Sequence, residues 1–151
     1  MPDLTAVELY TALAARQQVF TVEQSCAFQD ADGHDPHAWH LFAWTSSAST
    51  ELLAAYLRVV DPGRKYVEPS IGRVLTMPPY RRIGLGRILM REGLARSGRA
   101  WPGRPVRIAA QQRLEAFYVS LGFRTVSAPY EEDGIQHVDM VIGAPSEHGG
   151  R

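Results

Sequence analysis

A turn rich in arginine and glycine, Arg81–Arg87, is the segment whose residue types are best suited to chemistry. Gly84 and Gly86 allow backbone N–H groups to converge on a ligand that no Cβ obstructs. Apolar spacing predicts a helix over Gly84–Ser97, and a helix N-terminus carries about half a positive charge. Three guanidinium groups add to it, those of Arg81, Arg82 and Arg87. The turn favours a phosphate-bearing ligand, and a cationic turn that only caps the helix is the alternative.

Two better-known phosphate motifs are excluded at this turn. A P-loop requires Gly-Lys followed by Ser or Thr, and the turn contains no lysine. The dinucleotide fingerprint requires a third glycine three residues after the second, where this chain has Leu89. A pyrophosphate bound here would therefore belong to another class of site.

The composition is that of an ordinary single domain and excludes several classes of protein. The 151 residues suffice for one domain, and 16 basic residues balance 16 acidic ones, which argues against a nucleic-acid-binding protein. Cys26 is the single cysteine, so neither an internal disulfide framework nor a multi-cysteine zinc site is expected. No apolar run approaches the roughly 18 residues of a membrane helix, and the start has no signal-peptide pattern. We expect a cytoplasmic protein without nucleic-acid or membrane partners.

Hydrophobic periodicity and turn residues predict a single α/β (α+β) domain. Helices are expected over Ala6–Val22, Gly84–Ser97 and Leu114–Leu121. Strand signals lie at Trp39–Trp44, Leu52–Val60, Ser70–Thr76, Val106–Ala110, Phe123–Val126 and Val138–Ile142. Strand pairs followed by strand–helix–strand–helix–strand are typical of one mixed central β-sheet flanked by helices. The predicted domain covers residues 5–143, and residues 144–151 are expected to be a frayed tail.

A second motif follows the turn at a distance of one helix and one strand. Leu114–Tyr118 predicts a short helix that carries a tyrosine, and the helix is followed by Leu121-Gly122-Phe123. The turn itself has the pattern Arg-x-x-Gly-x-Gly between a strand and a helix, with Arg81, Gly84 and Gly86 at its fixed positions. In this order, the two motifs resemble the GNAT family of N-acetyltransferases.

The resemblance covers roughly residues 9–142 and extends to the ElaA-like branch of that family. It is carried by Val19–Cys26, Asp30–Gly33, His40, Ile71–Val74, Ala110-Gln111 and Tyr130–His137. One departure concerns the strand that the family has before its first helix. Here that strand is missing or very short.

The resemblance implies that an acetyl group moves from acetyl-CoA to a primary amine by direct attack in a ternary complex. It implies that the turn holds the pyrophosphate through Arg81, Arg82, Ile83, Gly84, Leu85, Gly86 and Arg87. Main-chain groups of Val74, Leu75 and Thr76 would orient the thioester and stabilise its oxyanion, and Gln111 is a further cofactor contact. No metal is implied. Family members commonly pair, so a homodimer is an open alternative.

The proton transfers need an acid and a base. Tyr118 matches the family's tyrosine, and a phenol can protonate the departing thiolate while staying neutral at physiological pH. A buried core tyrosine is the alternative. The central strand Ile71–Thr76 carries no carboxylate, so Glu23, His40 and His137 are the candidates to take the proton from the amine. Two of these residues also have a structural alternative. Glu23 would form a salt bridge, and His40 would be a strand residue whose ring nitrogens are hydrogen-bonded within the fold.

Two other functions are weighed against the transferase. The polar segment Asp30–His40 holds three aspartates and three histidines, which would suit a metal-dependent hydrolase, although its spacing fits neither an EF-hand nor a paired-histidine zinc helix. A solvated polar loop is favoured over a metal site. The second alternative is a non-catalytic acyl-CoA-binding sensor with the same fold, which amine-dependent turnover would distinguish. The sequence does not identify the amine acceptor.

Overall fold

The computed structural model describes residues 3–47 and 50–143. Within them, the α-helices are α1 (Ala6–Arg16), α2 (Leu85–Ala100) and α3 (Glu115–Ser120). The strands are β1 (Ala38–Ser47), β2 (Thr50–Val60), β3 (Ser70–Thr76), β4 (Val106–Gln111), β5 (Arg124–Thr125), β6 (Tyr130–Glu132) and β7 (Ile135–Ile142). A π-helical segment, Gln17–Glu23, continues α1, and 3₁₀ turns occupy Asp35–His37, Pro78–Tyr80 and Gln112–Leu114.

The strands form one mixed seven-stranded sheet in the order β1-β2-β3-β4-β7-β5, with β6 paired to β7. Neighbouring strands are antiparallel except β3 and β4, which are parallel and joined by the crossover through α2. Among the described residues, the one registered pair between β3 and β4 is Ser70 with Arg107. The two strands separate beyond that pair, and this opens a cleft in the middle of the sheet.

Helices cover both faces of the sheet. Alternate residues of β2 point to opposite faces, so Leu57 joins the core beneath α2 and α3, whereas Tyr56 joins the core beneath α1. A Cβ on Gly93 of α2 would lie 3.3 Å from Ile71 Cδ1, so the glycine allows the helix to approach the sheet closely. This packing fixes α2 against the strand that precedes the arginine turn.

The predicted fold class is confirmed, and several element bounds are corrected. The expected helix Ala6–Val22 becomes a π-helix after Arg16. No strand is formed by Asp3–Thr5, the described residues that precede α1. The segment expected as Phe123–Val126 pairs only over two residues. The sequence analysis missed β6, although Asp133-Gly134 between β6 and β7 is a hairpin signal, and both residues have positive φ (53° and 80°).

The frayed tail predicted for residues 144–151 lies outside the described residues. In the described ranges, no helix has the length and apolar character needed to cross a membrane.

Candidate functional site

A groove of about 560 Å³ lies between the π-helical segment, β3, the arginine turn and α3. Its lining includes Val74, Leu75 and Thr76 of β3 and Tyr118 of α3. All predicted cofactor-contact residues line it except Ile83, which is 68% exposed on the same turn. The structure therefore brings the β3 end, the glycine turn and Tyr118 to one surface.

The glycine turn has the backbone geometry that an anion site needs. Gly84 is the N-cap of α2 with φ of 84°, a left-handed conformation that places the following N–H groups at the groove. Arg82 is also left-handed, with φ of 67°, and its side chain is exposed. The first N–H groups of α2 have no partner within the helix and lie at its positive end.

The three arginines of the turn are not equivalent. The guanidinium of Arg81 donates to both carboxylate oxygens of Glu23, at 2.6 and 2.9 Å, and to the carbonyl of Thr76. Arg87 donates to Ser120 Oγ at 2.9 Å and lies over the ring of Phe117. Arg82 has no ion-pair partner among the described residues. Much of the positive charge of Arg81 is thus balanced within the protein.

A substitution at Gly84 tests whether this turn binds the donor. We expect Gly84→Ala to weaken acetyl-CoA binding about tenfold or more, because an L-residue disfavours φ of 84° and the N–H groups would turn away from the phosphates. Isothermal titration calorimetry on the folded variant measures this. Gly98→Ala, in α2 with open space at its Cβ, is the matched control. If both variants bound acetyl-CoA with the same affinity, the turn would not be part of the binding site.

A second pocket, of about 130 Å³, adjoins the groove and is called the acceptor pocket below. It lies in the cleft between β3 and β4, and the hairpin of β6 and β7 borders it on one side. Six residues line both spaces: Phe20, Gln24, Val74, Gln111, Leu114 and Tyr118. The groove and the acceptor pocket therefore meet at Val74 and Tyr118.

Tyr118 lies at this junction with a free hydroxyl. Its ring packs edge-on against Phe117 and Phe123, and the residue is only 7% exposed. Its hydroxyl makes no hydrogen bond to any described residue. Burial raises the pKa of Tyr118 to about 12, although Arg113 opposes the shift. The phenol is therefore protonated throughout the range in which proteins work.

A bulge in β3 shapes the wall of the acceptor pocket. Tyr56 pairs with Leu75 and Arg58 with Gly72, so two residues of β3 oppose one of β2. Arg73 at the bulge has φ of 52°, and its side chain is fixed by Asp30 at 2.7 Å and by Asp32 at 3.3 Å. The loop that carries these aspartates thus holds the strand segment next to Val74.

The structure separates the three candidate bases. Glu23 lies at the groove, where the hydrogen bond from Arg81 lowers its pKa, so its carboxylate is a weaker base than a free one. His40 lines neither the groove nor the acceptor pocket. Its Nδ1 accepts from the Tyr56 hydroxyl at 2.6 Å, its Nε2 donates to the carbonyl of Asp35, and burial lowers its pKa. Only His137 lines the acceptor pocket.

The imidazole of His137 has a defined tautomer. Its Nδ1 lies 2.8 Å from the carbonyl oxygen of Ile135, which can only accept, so Nδ1 carries the proton. In the neutral ring, Nε2 then keeps its lone pair. His137 also stacks on Tyr130, with ring centroids 6.0 Å apart.

The aspartates of the polar loop face arginines, which sequence reasoning missed. Asp35 accepts from Arg16 and Arg58, Asp32 from Arg58 and Arg73, and Asp30 from Arg16 and Arg73. Arg16 and Arg58 are almost completely buried, at 0% and 1% exposure. The aspartates of the loop thus form an ion-pair network with these arginines, and each carboxylate is already bound by guanidinium groups. Among the described residues, no cluster of metal-ligating side chains is found.

Comparison with known proteins places this geometry in a family. Residues 35–144 match the family model described as an acetyltransferase (GNAT) domain. The chain belongs to the GNAT acetyltransferase family. GNAT enzymes use acyl-CoA donors, and the groove with its glycine turn is consistent with such a ligand.

Relatives of this GNAT domain match along nearly the whole chain. A UPF0039 protein from a Synechocystis strain is 41% identical, with 95% of this chain and 91% of the relative covered. The ElaA protein of Escherichia coli is 37% identical over 91% of this chain and 89% of its own. A Pseudomonas aeruginosa structure described as an acyl-CoA N-acyltransferase has 40% identity, a TM-score of 0.86 and 94% coverage of both chains. The expected resemblance to the ElaA-like branch is confirmed.

Proposed function

We propose that this protein is an N-acetyltransferase that moves the acetyl group of acetyl-CoA to a primary amine. The observation that carries the proposal is the junction of the groove with the acceptor pocket at Val74 and Tyr118. A thioester held at the groove and an amine held in the pocket would meet there without a covalent enzyme intermediate. The amine nitrogen forms the new C–N bond, the C–S bond breaks, and coenzyme A leaves as a thiolate.

Three groups of the chain would serve this reaction. Main-chain groups of β3 at Val74, Leu75 and Thr76 would stabilise the oxyanion of the tetrahedral intermediate. Tyr118, protonated and hydrogen-bonded to no described residue, would donate its proton to the thiolate. The N–H groups after Gly84 with Arg82 and Arg87 would hold the pyrophosphate.

His137 is the group that we propose to take the proton from the acceptor amine. Nε2 keeps its lone pair in the tautomer that the Ile135 carbonyl selects, and the residue lines the acceptor pocket. Glu23 is held by Arg81 and has a lowered pKa, so it would serve better as a positioning partner for the turn. His40 has both ring nitrogens engaged outside the site.

Amine-dependent release of thiol from acetyl-CoA tests the function. We expect His137→Gln to lower the rate strongly near pH 7 and progressively less toward pH 9–10, where a free alkylamine with pKa near 10.4 loses its proton unaided. His37→Gln, an exposed histidine on the 3₁₀ turn, is the control and should keep the parental profile. A parallel loss at every pH would remove His137 as the base.

The alternative is a sensor that binds acyl-CoA without catalysis. The thiol-release assay, combined with a measurement of acetyl-CoA binding, distinguishes it from the transferase. Saturable binding of acetyl-CoA without thiol release, across linear, amino-acid and peptide amines, would favour the sensor. A cytoplasmic location, the absence of nucleic-acid and membrane partners, and a homodimer stay predictions.

A further inference from the structure

A small chamber extends the acceptor pocket away from the groove. It has a volume of about 80 Å³ and is called the inner chamber. Its wall shares Ile71, Gly72, Arg73 and Ala109 with the acceptor pocket, together with Glu132 and His137 of the β6–β7 hairpin. Along β3, the groove lies at Val74–Thr76 and the inner chamber at Ser70–Arg73. A substrate whose reacting end lies at Val74 can therefore extend into it.

Lys65, the one lysine of the sequence, lines this chamber and is exposed to solvent. Its ammonium makes neither a hydrogen bond nor an ion pair with any described side chain, and it lies 5.9 Å from the ring centroid of Tyr66. Partial desolvation lowers the pKa of Lys65, repulsion from Arg73 and Arg58 lowers it further, and attraction to Asp32 and Glu132 opposes the shift. An anion in the chamber would relieve that repulsion.

Arg73 adds a second donor on the same wall. Its Nε and Nη2 are used by Asp30 and Asp32, whereas Nη1 has no acceptor in the ranges that the structure describes. Because the aspartates fix the guanidinium, Nη1 is held in place without a loss of side-chain entropy on binding. A fixed arginine and a lysine that line the same chamber are a suitable pair for one carboxylate.

We propose that the inner chamber binds a carboxylate of the acceptor, held by Lys65 and Arg73, and that the acceptor is an amine with a carboxylate at its other end. The proposal rests on the proposed acetyltransferase function. At about 3.3 Å per strand residue, Gly72 and Ser70 lie roughly 7 and 13 Å along β3 from Val74. The amine and the carboxylate should therefore be several bonds apart, as in an ω-amino acid, and not on one carbon.

Glu132 is the opposing charge at this chamber. It is exposed on β6, makes no ion pair with Lys65 in the described structure, and attracts Lys65 only over a longer distance. Asp32 also attracts Lys65, but its carboxylate is already held by Arg58 and Arg73. Removing this carboxylate would favour an anionic ligand and disfavour a second cationic amine. Glu132→Gln thus distinguishes an amino-carboxylate acceptor from a diamine by the sign of its effect.

The test compares three acceptors with acetyl-CoA: 6-aminohexanoate, its carboxamide and 1,5-diaminopentane. We expect the parent to prefer the carboxylate to the carboxamide in kcat/KM, and Lys65→Met to reduce that preference about tenfold. Lys65→Arg should retain most of it, and Glu132→Gln should increase it. Arg64→Met, which removes the neighbouring charge outside the chamber, should leave the preference at the parental value. Calorimetric titration with N-acetyl-6-aminohexanoate should rank the variants in the same order: Lys65→Met should bind it more weakly than the parent, and Glu132→Gln more tightly.

The outcomes separate this proposal from the function on which it rests. Equal use of carboxylate and carboxamide by the parent, with no change in Lys65→Met, overturns the carboxylate chamber and leaves the acetyltransferase intact. Preference for 1,5-diaminopentane that Glu132→Gln abolishes overturns it in favour of a cationic acceptor. Absence of thiol release with every amine, while acetyl-CoA still binds, overturns the acetyltransferase itself.

Discussion

Tyr118→Phe should lower kcat about 10²–10⁴-fold while the affinity for acetyl-CoA stays within about twofold of the parent. The loss would be confined to the proton donated to the thiolate, because the phenyl ring keeps its contacts with Phe117 and Phe123. Stability should be unchanged or slightly higher, since the hydroxyl has no partner among the described residues that its removal would strand. Steady-state kinetics, calorimetry and urea unfolding measure the three quantities.

Two further measurements distinguish an acid from a merely structural tyrosine. Because burial raises the pKa of Tyr118 to about 12, the parent should show no loss of kcat from its ionisation up to pH 10. Tyr10→Phe, which removes a hydroxyl from a residue 75% exposed on α1, is the control and should retain full kcat. Equal kcat for the parent and Tyr118→Phe would mean that water protonates the thiolate.

The arginine turn and the tyrosine helix are the parts of the candidate site whose local geometry can be predicted from the sequence. Arg81, Gly84 and Gly86 lie within six residues of one another, and their arrangement depends on the strand before them and the helix after them. Gly84, expected as the first residue of a helix over Gly84–Ser97, is instead the left-handed N-cap of α2, which runs over Leu85–Ala100. Tyr118 and Gly122 belong to a second local unit, in which a glycine with φ of 106° follows the C-terminal end of α3. Such units are readable because their turns and periodicity are encoded within a short window.

The parts that depend on distant contacts could not be predicted. Arg16 lies 19 residues from Asp35, and Arg58 lies 23 residues from it, yet one buried carboxylate binds both. Charged residues in a Gly- and Pro-containing segment usually indicate a solvated loop, and no local signal says that they point inward. The sequence also gives no sign of the bulge at Arg73, because arginine is an unusual residue at φ of 52°.

The choice of base shows the same limit. Glu23, His40 and His137 are all candidates by residue type, and only the folded chain separates them. His40 faces the ion-pair network, Glu23 faces Arg81, and His137 faces the acceptor pocket. Lys65 had no signal beyond being the single lysine. Its relevance arises because it lines the same chamber as Ser70–Arg73 and the β6–β7 hairpin.

The ion-pair network should be a major determinant of stability, and Asp35→Asn tests it. The variant removes the negative charge that Arg16 contacts at 2.7 Å and Arg58 at 3.0 Å, both of them buried. Removing one partner of a buried pair leaves uncompensated charge, so the free energy of unfolding should fall by about 3–5 kcal/mol. Urea denaturation at pH 7 measures the change. Glu92→Gln, which breaks the exposed pair with Arg96, is the matched control and should cost less than about 1 kcal/mol.

The pH dependence of stability gives the same test a second readout. Burial opposes ionisation of Asp32 and Asp35, but hydrogen bonds from Arg58 and Arg16 outweigh it, so both pKa values are lowered in the folded state. A carboxyl group with a lowered folded pKa stabilises the fold above its unfolded pKa of about 3.9, and this stabilisation is lost as the pH falls through the folded pKa. The parent should therefore lose stability steeply below about pH 4, and Asp35→Asn less steeply. If both proteins lost stability with the same slope and differed by less than about 1 kcal/mol at pH 7, the network would be dispensable for folding. The anchoring of Arg73 beside Val74 would then have to come from elsewhere in the sheet.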